Sequence, residues 1–301
     1  MEDTKIATPV DVIVIAVVLI TGVLLAFLIL PSLSRPRRLP LPMVCLTNLK
    51  GLGTAMAIYA NDYDGRLPQM PGEGPWARDL GFSFDLPAPD FTMGGDQAQT
   101  ARTITASWYL LVREVDVQPK QLVCPMSGQT PFEGKNPAGL HITEMWDFGR
   151  DPYQHVSYSL HNPYGKYPAN EGRPSGFAVA ADMNPWFRSG DIVAPGLGVS
   201  APQIISLDDE ATWKLGNSWM HPLQKSKGRT EGPGDGQNVV FADGHAEFVR
   251  TSNCGIGKDN IYTFQSREDN PNEQDIQGGS IPTGRTAEND AKAEDDSFLA
   301  I

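Results

Sequence analysis

The longest apolar run of the chain extends from Val12 to Leu30 and contains no charged side chain. Only Thr21 and Gly22 interrupt its apolar character. At roughly 1.5 Å per residue, these nineteen positions would form a helix whose length matches the hydrocarbon core of a bilayer. No small-x-small cleavage site follows the run, so we expect a retained transmembrane anchor rather than a cleaved signal.

The next 33 residues change pattern twice. Residues 31–42 contain four prolines and three arginines, which favours extended backbone and predicts a short, stiff linker. From Met43 to Tyr63 apolar residues recur every three or four positions, which predicts an amphipathic helix. Asp64-Gly65 predicts its end, because glycine readily adopts the left-handed conformation that terminates helices. A further helix is predicted at about 100–114.

Downstream, short apolar runs alternate with turn signals, which is the pattern of an antiparallel sheet. The predicted strands lie at 155–160, 176–181, 202–207 and in the two arms of 237–249. In the last of these, Asp243-Gly244 predicts a type I′ hairpin turn. The sequence therefore predicts an α+β fold, in which an amphipathic helix packs on an antiparallel β-sheet with long loops.

Residues 266–301 carry nine acidic and three basic side chains and few large apolar ones. Such a segment buries too little apolar surface to offset the entropy of ordering, so we expect a disordered acidic tail. The predicted organisation is an N-terminal segment with a transmembrane helix at 1–30, a linker at 31–42, a globular domain at 43–265 and the tail at 266–301.

Composition narrows the class of function. The chain has 301 residues and a net charge of −12, which argues against a nucleic-acid-binding surface. It contains no Gly-x-Ser-x-Gly, no phosphate-binding loop and no dinucleotide fingerprint. We therefore expect a protein that is not an enzyme and has no catalytic residues.

Two groups of side chains carry metal-binding chemistry. Asp243, His245 and Glu247 alternate along one hairpin arm, where they would either bind a divalent ion or form a solvated outer face. Asp62 and Asp64 resemble the start of a calcium loop whose later ligands are missing, and the alternative there is a helix cap. We expect no cofactor, with Ca²⁺ bound at Asp62 and Asp64 as the alternative.

The chain has three cysteines, so at most one intramolecular disulfide can form. If the globular domain is exported, Cys124 and Cys254 are the candidate pair. Cys45 lies on the predicted helix nearest the membrane, and the sequence alone does not fix the connectivity. The alternative is free, buried thiols.

A series of short motifs follows the apolar helix in a fixed order. They are Cys45, Asn48, Leu49, Gly53, Asp64-Gly65, Val123-Cys124-Pro125, Ser157-Tyr158-Ser159, Ala180-Ala181-Asp182, His221 and Asp243-Gly244. This combination resembles the bacterial pilin-like proteins related to type II secretion pseudopilins. The resemblance implies a membrane-anchored structural or accessory subunit of a secretion or pilus-like system.

The N-terminal processing site of that family is degenerate here. Family members typically carry Gly-Phe-Thr-Leu-Ile-Glu, whereas the corresponding stretch of this chain is Ile6-Ala7-Thr8-Pro9-Val10-Asp11. Three arginines follow the apolar helix and one lysine precedes it, a balance that would keep the globular domain in the cytoplasm. Pseudopilins place this domain outside the inner membrane despite such residues, and we follow that precedent.

The resemblance implies lipid and other pilin-like or secretion-system subunits as partners, with no nucleic acid. Side-by-side helix packing would use Gly22 and Ala26.

Two alternatives remain open. One is a tethered module that binds a surface polymer or protein through Trp146, Trp186, Trp213 and Trp219. The other is a metal-dependent hydrolase that uses His221, Asp243 and His245.

Overall fold

The computed structural model describes residues 9–33, 41–80, 84, 102–188, 190–192, 216–221 and 234–301. The chain forms two compact units, residues 1–40 and residues 41–301. The boundary lies close to the predicted end of the linker. The strand predicted at 202–207 lies outside the described residues.

The described residues of the first unit, 9–33, form one helix, α1 (Pro9–Leu33). It is longer at both ends than the predicted span of 12–30 and includes Pro31. Every residue from Ile13 to Leu25 is exposed, so the exposed apolar side chains cover more than three consecutive turns. Apolar side chains therefore point outward on every face of α1 along this stretch.

The second unit begins with α2 (Leu41–Asp62), two residues before the predicted start. Its buried face, which includes Gly53, packs against strands of the main sheet. A Cβ atom at Gly53 would lie 2.9 Å from Val240 Cγ1, so a larger side chain would force the helix away from the sheet. The helix ends as predicted, with Gly65 at φ +76° and its N–H donating to Ala60 O at 2.8 Å.

By length and composition alone, one helix among the described residues, α2, is long and apolar enough to cross a membrane. The described side chains of α1 contribute a shorter apolar stretch, Ile13–Leu25. The two helices differ in how far they are buried. Eight residues of α2 are buried in the second unit, which is the behaviour of a core helix, whereas Ile13–Leu25 has no buried residue.

The remaining regular elements lie in the second unit. The helices are α3 (Ile104–Glu114) and α4 (Glu273–Gln277), with short 3₁₀ turns at Pro119–Leu122, Ile142–Glu144, Pro152–Gln154 and Ile256–Lys258. The strands are β1 (Tyr158–His161), β2 (Ala178–Asp182), β3 (Phe187–Arg188), β4 (Asp191–Ile192), β5 (Gln237–Phe241), β6 (Ala246–Val249) and β7 (Leu299–Ala300).

The main sheet has the order β6-β5-β2-β1-β7, and every neighbouring pair is antiparallel. Strands β1, β2 and β5 are buried along their whole length, since the core covers them. Helix α3 starts at an N-cap, where Thr103 Oγ1 accepts the N–H of Ala106. Trp108 of α3 donates to Tyr158 O at 3.1 Å and so joins α3 to β1. The α+β prediction with an antiparallel sheet is confirmed.

The turn between β5 and β6 differs from the predicted type I′ turn. A type I′ turn needs positive φ at both central residues, whereas in this loop only Gly244 has it, at +81°. Gly244 N donates to Phe241 O at 2.9 Å, and Phe241 N donates to His245 O at 3.0 Å. The connection is therefore a three-residue loop with glycine in the left-handed position, and Asp243 keeps a negative φ.

The prediction of a disordered tail at 266–301 is wrong. The last residues form β7 on the edge of the main sheet, and Phe298, Leu299 and Ile301 are fully buried. The prediction assumed that acidic side chains would keep this segment unfolded. Instead, three of its nine carboxylates accept hydrogen bonds from backbone N–H groups or side-chain amides within the fold, namely those of Asp275, Asp290 and Asp296. The tail is part of the second unit.

Asp296 makes folding sensitive to pH. Its Oδ2 accepts the N–H groups of Lys292 at 2.6 Å and Gln265 at 3.0 Å, and burial raises its pKa to about 7. An unfolded aspartate has a pKa of about 3.9. The folded chain therefore holds the proton more tightly, so the stabilisation is complete below pH 4 and is lost as pH rises through 7.

We expect wild type to gain stability relative to Asp296→Asn when the pH falls from 8 to 5, because only the aspartate can take up a proton on folding. Urea unfolding of both proteins at the two pH values measures this difference. The comparison cancels the opposite contribution of His161, whose pKa burial lowers to about 4. An equal response of both proteins to pH would contradict the prediction.

Candidate functional site

A buried polar network lies where β2 meets β5. Asp182 is the last residue of β2, and the pairing of Ala181 with Val239 places Asn238 of β5 beside it. Asp182 Oδ2 accepts the backbone N–H of Asn238 at 2.6 Å and its side-chain amide at 3.0 Å. His221 Nε2 lies 3.0 Å from the same carboxylate oxygen. The three side chains are almost completely buried, so the network is closed to solvent.

The other side of the His221 ring faces sulfur. Its Nδ1 atom lies 3.3 Å from Met126 Sδ, and the N–H of Met126 points to Cys124 Sγ at 3.5 Å. Tyr262 OH donates to the backbone carbonyl of Asp182 at 2.8 Å and so helps to hold this residue in place. His221 is therefore held between a carboxylate on one edge and sulfur atoms on the other.

The structure joins Cys45 of α2 to Cys124 in a disulfide. This corrects the predicted pairing of Cys124 with Cys254, which is a free, half-buried cysteine here. The first half of α2 packs against the Pro119–Leu122 turn, and that contact brings Cys45 to Cys124. The location of Cys45 on α2 therefore allows the pairing, because α2 packs beside the segment that carries Cys124.

The disulfide and the histidine form a compact cluster. One ligand atom from each of Cys45, Cys124 and His221 lies within 4.8 Å of the other two, and the three residues are buried. Within the described ranges, no other set of three His, Cys, Asp or Glu side chains converges in this way. The cluster brings together motifs that are far apart in the sequence.

Other motif residues surround the same cluster. Asn48 Nδ2 donates to Val123 O at 3.4 Å, and Tyr158 OH donates to Cys45 O at 3.5 Å. Of the residues in the cluster and the network, sequence reasoning singled out Cys45, Cys124 and His221, but it assigned no site role to Asp182 or Met126. The short motif Ala180-Ala181-Asp182 was the available signal for the carboxylate.

The predicted trio of Asp243, His245 and Glu247 does not form a three-ligand group. Asp243 and His245 contact each other, while Glu247 is exposed further along β6. The backbone N–H of His245 lowers the pKa of Asp243 most, and its imidazole adds to the effect. The His245 ring stacks on Phe241 at 4.5 Å. These contacts fit the alternative of a solvated outer face.

Asp62 and Asp64 are exposed at the C-terminal end of α2. Asp64 has φ +54° and precedes Gly65, so it takes part in the helix termination described above. Asp62 Oδ1 accepts the Asn61 side-chain amide at 3.2 Å. The two carboxylates are not part of any three-ligand group among the described residues. Their local role is therefore that of a helix cap, the alternative considered from the sequence.

The trio required for a hydrolase is separated. His221 is buried beside Asn238 at the start of β5, whereas Asp243 and His245 are exposed beyond the end of that strand. The three residue-to-residue steps from Asn238 to Phe241 span roughly 10 Å along a strand. No reaction centre can therefore be built from His221, Asp243 and His245 in this arrangement.

The tryptophans proposed for a binding surface do not form an open patch where they are described. Trp186 is 2% exposed, and Trp219 is half-buried against the core. The Arg113 guanidinium covers the ring of half-buried Trp146 at 3.9 Å. Trp213 lies outside the described residues. The three described rings therefore contribute to packing.

A scan against protein-family models finds none that matches this chain, and comparisons with curated proteins and with solved structures find no match either. The pilin-like resemblance therefore stays a prediction that depends on the motifs themselves.

Proposed function

We propose that the protein is a membrane-anchored, pilin-like structural or accessory subunit and not an enzyme. The observation that carries this proposal is α1, whose residues from Ile13 to Leu25 are all exposed. A helix that is apolar on every face has no polar side to turn toward water. Its stable environment is the hydrocarbon core of a bilayer, where intrahelical hydrogen bonds satisfy the backbone.

Twelve large apolar side chains of α1 are at least half exposed: Val10, Ile13, Val14, Ile15, Val17, Val18, Leu19, Ile20, Val23, Leu24, Leu25 and Phe27. Removing each from water is worth about 1.5 to 3 kcal/mol, so together they contribute on the order of 20 kcal/mol. This free energy is far larger than any conformational preference of the linker that follows α1. It therefore supports insertion of α1 into lipid.

Features of the second unit support the pilin-like part of the proposal. An amphipathic helix at the start of the unit packs on an antiparallel sheet, and that helix follows the apolar helix in the chain. Neighbouring subunits would meet through α1. A Cβ atom added at Gly22 would have no other atom within 4 Å, so a second helix has room to approach there.

The disulfide supports a location of the second unit outside the cytoplasm, anchored in the inner membrane. Structural disulfides persist in oxidising compartments and are rare in the reducing cytosol. The arginines after α1 favour the opposite orientation. We give the disulfide more weight, because it ties two buried segments of the fold together.

Cysteine labelling tests this topology. Ala287 is exposed on the second unit, so we would introduce Ala287→Cys in a Cys254→Ser background and treat intact cells or spheroplasts with a membrane-impermeant thiol reagent. We expect labelling without permeabilisation, and retention of the protein in membranes after carbonate extraction. The Cys254→Ser parent without the introduced cysteine is the matched control.

Two results would oppose the proposal. Protection of Ala287→Cys until the membrane is permeabilised would place the second unit in the cytoplasm and reject the secretion-subunit assignment. Release by carbonate would reject the anchor.

Contacts between subunits have a separate test. Gly22→Cys should give disulfide-linked oligomers in membranes, and the matched variant Leu19→Cys should give fewer of them.

A further inference from the structure

The cluster of Cys45, Cys124, His221 and Met126 has the chemistry of a soft-metal site. Ligand atoms of the first three lie within 4.8 Å of one another, and the Met126 thioether lies 3.3 Å from His221 Nδ1. We propose that reduction of the Cys45–Cys124 disulfide converts this cluster into a binding site for one Cu⁺ ion. This inference goes beyond the structural role and does not depend on it.

The His221 ring is oriented as a metal ligand would be. Metal-binding histidines usually donate their second ring N–H to a carboxylate, which fixes the tautomer and the direction of the ligating nitrogen. Here His221 Nε2 lies 3.0 Å from Asp182 Oδ2, and this leaves Nδ1 directed at the sulfur atoms. Asn238 also binds this carboxylate, so Asp182 is itself held in place.

The redox step balances as a thiol–disulfide exchange. A dithiol reductant gives two electrons and two protons and becomes a disulfide, while the S–S bond of Cys45–Cys124 breaks and leaves two thiols. Cu⁺ then replaces the thiol protons, which are released to solvent. Two thiolates on one ion have sulfur atoms about 3.7 Å apart at metal–sulfur distances near 2.3 Å, so metal and disulfide exclude each other.

The ligand set favours monovalent copper over zinc. Thiolates bind both Cu⁺ and Zn²⁺, but a thioether is a soft donor that suits Cu⁺, whereas a zinc site of this size would take a fourth thiolate, imidazole, carboxylate or water. Met126 supplies the thioether and is half-buried, and it lies next to the three buried ligands. Met126 is therefore the residue that distinguishes a copper site from a general thiol site.

The test uses the full chain in detergent, reduced with a phosphine under anaerobic conditions. Cu⁺ would be titrated against a chromogenic chelator, with wild type, Met126→Leu and Cys254→Ser compared in the same way. We expect reduced wild type to take one Cu⁺ and oxidised wild type none. Met126→Leu should bind on the order of tenfold more weakly, and Cys254→Ser should match wild type.

Met126→Leu keeps both cysteines, so its oxidised form reports by near-ultraviolet circular dichroism whether the variant folds. Equal copper affinity of Met126→Leu and wild type would overturn the proposal, because binding would then need only thiols. Absence of copper uptake by reduced wild type would overturn it as well. Zn²⁺ binding as tight as Cu⁺ binding would also reject the copper assignment.

Discussion

Replacing both Cys45 and Cys124 with alanine is expected to lower the free energy of unfolding by about 4 kcal/mol. The disulfide joins residues 79 positions apart, and a cross-link over such a loop removes much of the conformational freedom of the unfolded chain. For a loop of this length the chain-entropy relation gives about 4.5 kcal/mol. Urea unfolding of oxidised wild type and of the double variant measures the difference.

Cys254→Ala is the matched control, since it removes the third cysteine and leaves the disulfide intact. We expect this variant to lose no more than about 1 kcal/mol. A double variant within about 1 kcal/mol of wild type would show that the cross-link contributes little. A loss with Cys254→Ala as large as that with the double variant would show that Cys254 takes part in the bond.

The cysteine pairing shows which information a single sequence does not contain. Three cysteines allow three pairings, and only tertiary contacts choose among them. The chosen pair depends on the packing of α2 against the Pro119–Leu122 turn, and that contact has no signal in local periodicity. The same holds for Asp182 and His221, which lie 39 positions apart in the chain and meet beside Asn238, where β2 pairs with β5.

Local patterns performed better. Helical periodicity located α2 to within two residues at its start, and the glycine signal located its end. The Asp243-Gly244 signal placed the β5–β6 hairpin correctly but gave the wrong turn type. Turn type depends on the φ of single residues, and a three-residue loop needs only one glycine whereas a type I′ turn is built on two positive φ values.

The prediction of a disordered tail failed for a different reason. Net composition counts charges over the whole segment, whereas folding depends on where the few apolar residues lie. Phe298, Leu299 and Ile301 cluster at its end, so one short strand and its flanking residues bury all of them. The acidic residues before them include Asp296, which bonds backbone N–H groups instead of repelling the core.

Deleting residues 297–301 is therefore expected to unfold most of the molecules. Burial of Phe298, Leu299 and Ile301 is worth about 6 kcal/mol in total, at about 2 kcal/mol for each side chain. Deletion also leaves buried partners without hydrogen bonds, since Asn162 N and the Asn184 amide donate to the Phe298 and Leu299 carbonyls. Together these losses amount to about 8 to 12 kcal/mol, which is comparable to the whole stability of a typical domain, about 5 to 15 kcal/mol.

A single substitution tests the same contact without shortening the chain. Phe298 packs edge-on against Phe264 at 5.5 Å, and we expect Phe298→Ala to cost about 3 to 5 kcal/mol. Ala287→Ser, an exposed change in the same segment, should remain within about 0.5 kcal/mol of wild type. Urea unfolding and limited proteolysis report both effects. A free energy of unfolding within about 1 kcal/mol of wild type for the chain without residues 297–301 would contradict this prediction. Strand β7 would then contribute nothing to the fold, and the disordered-tail prediction would stand.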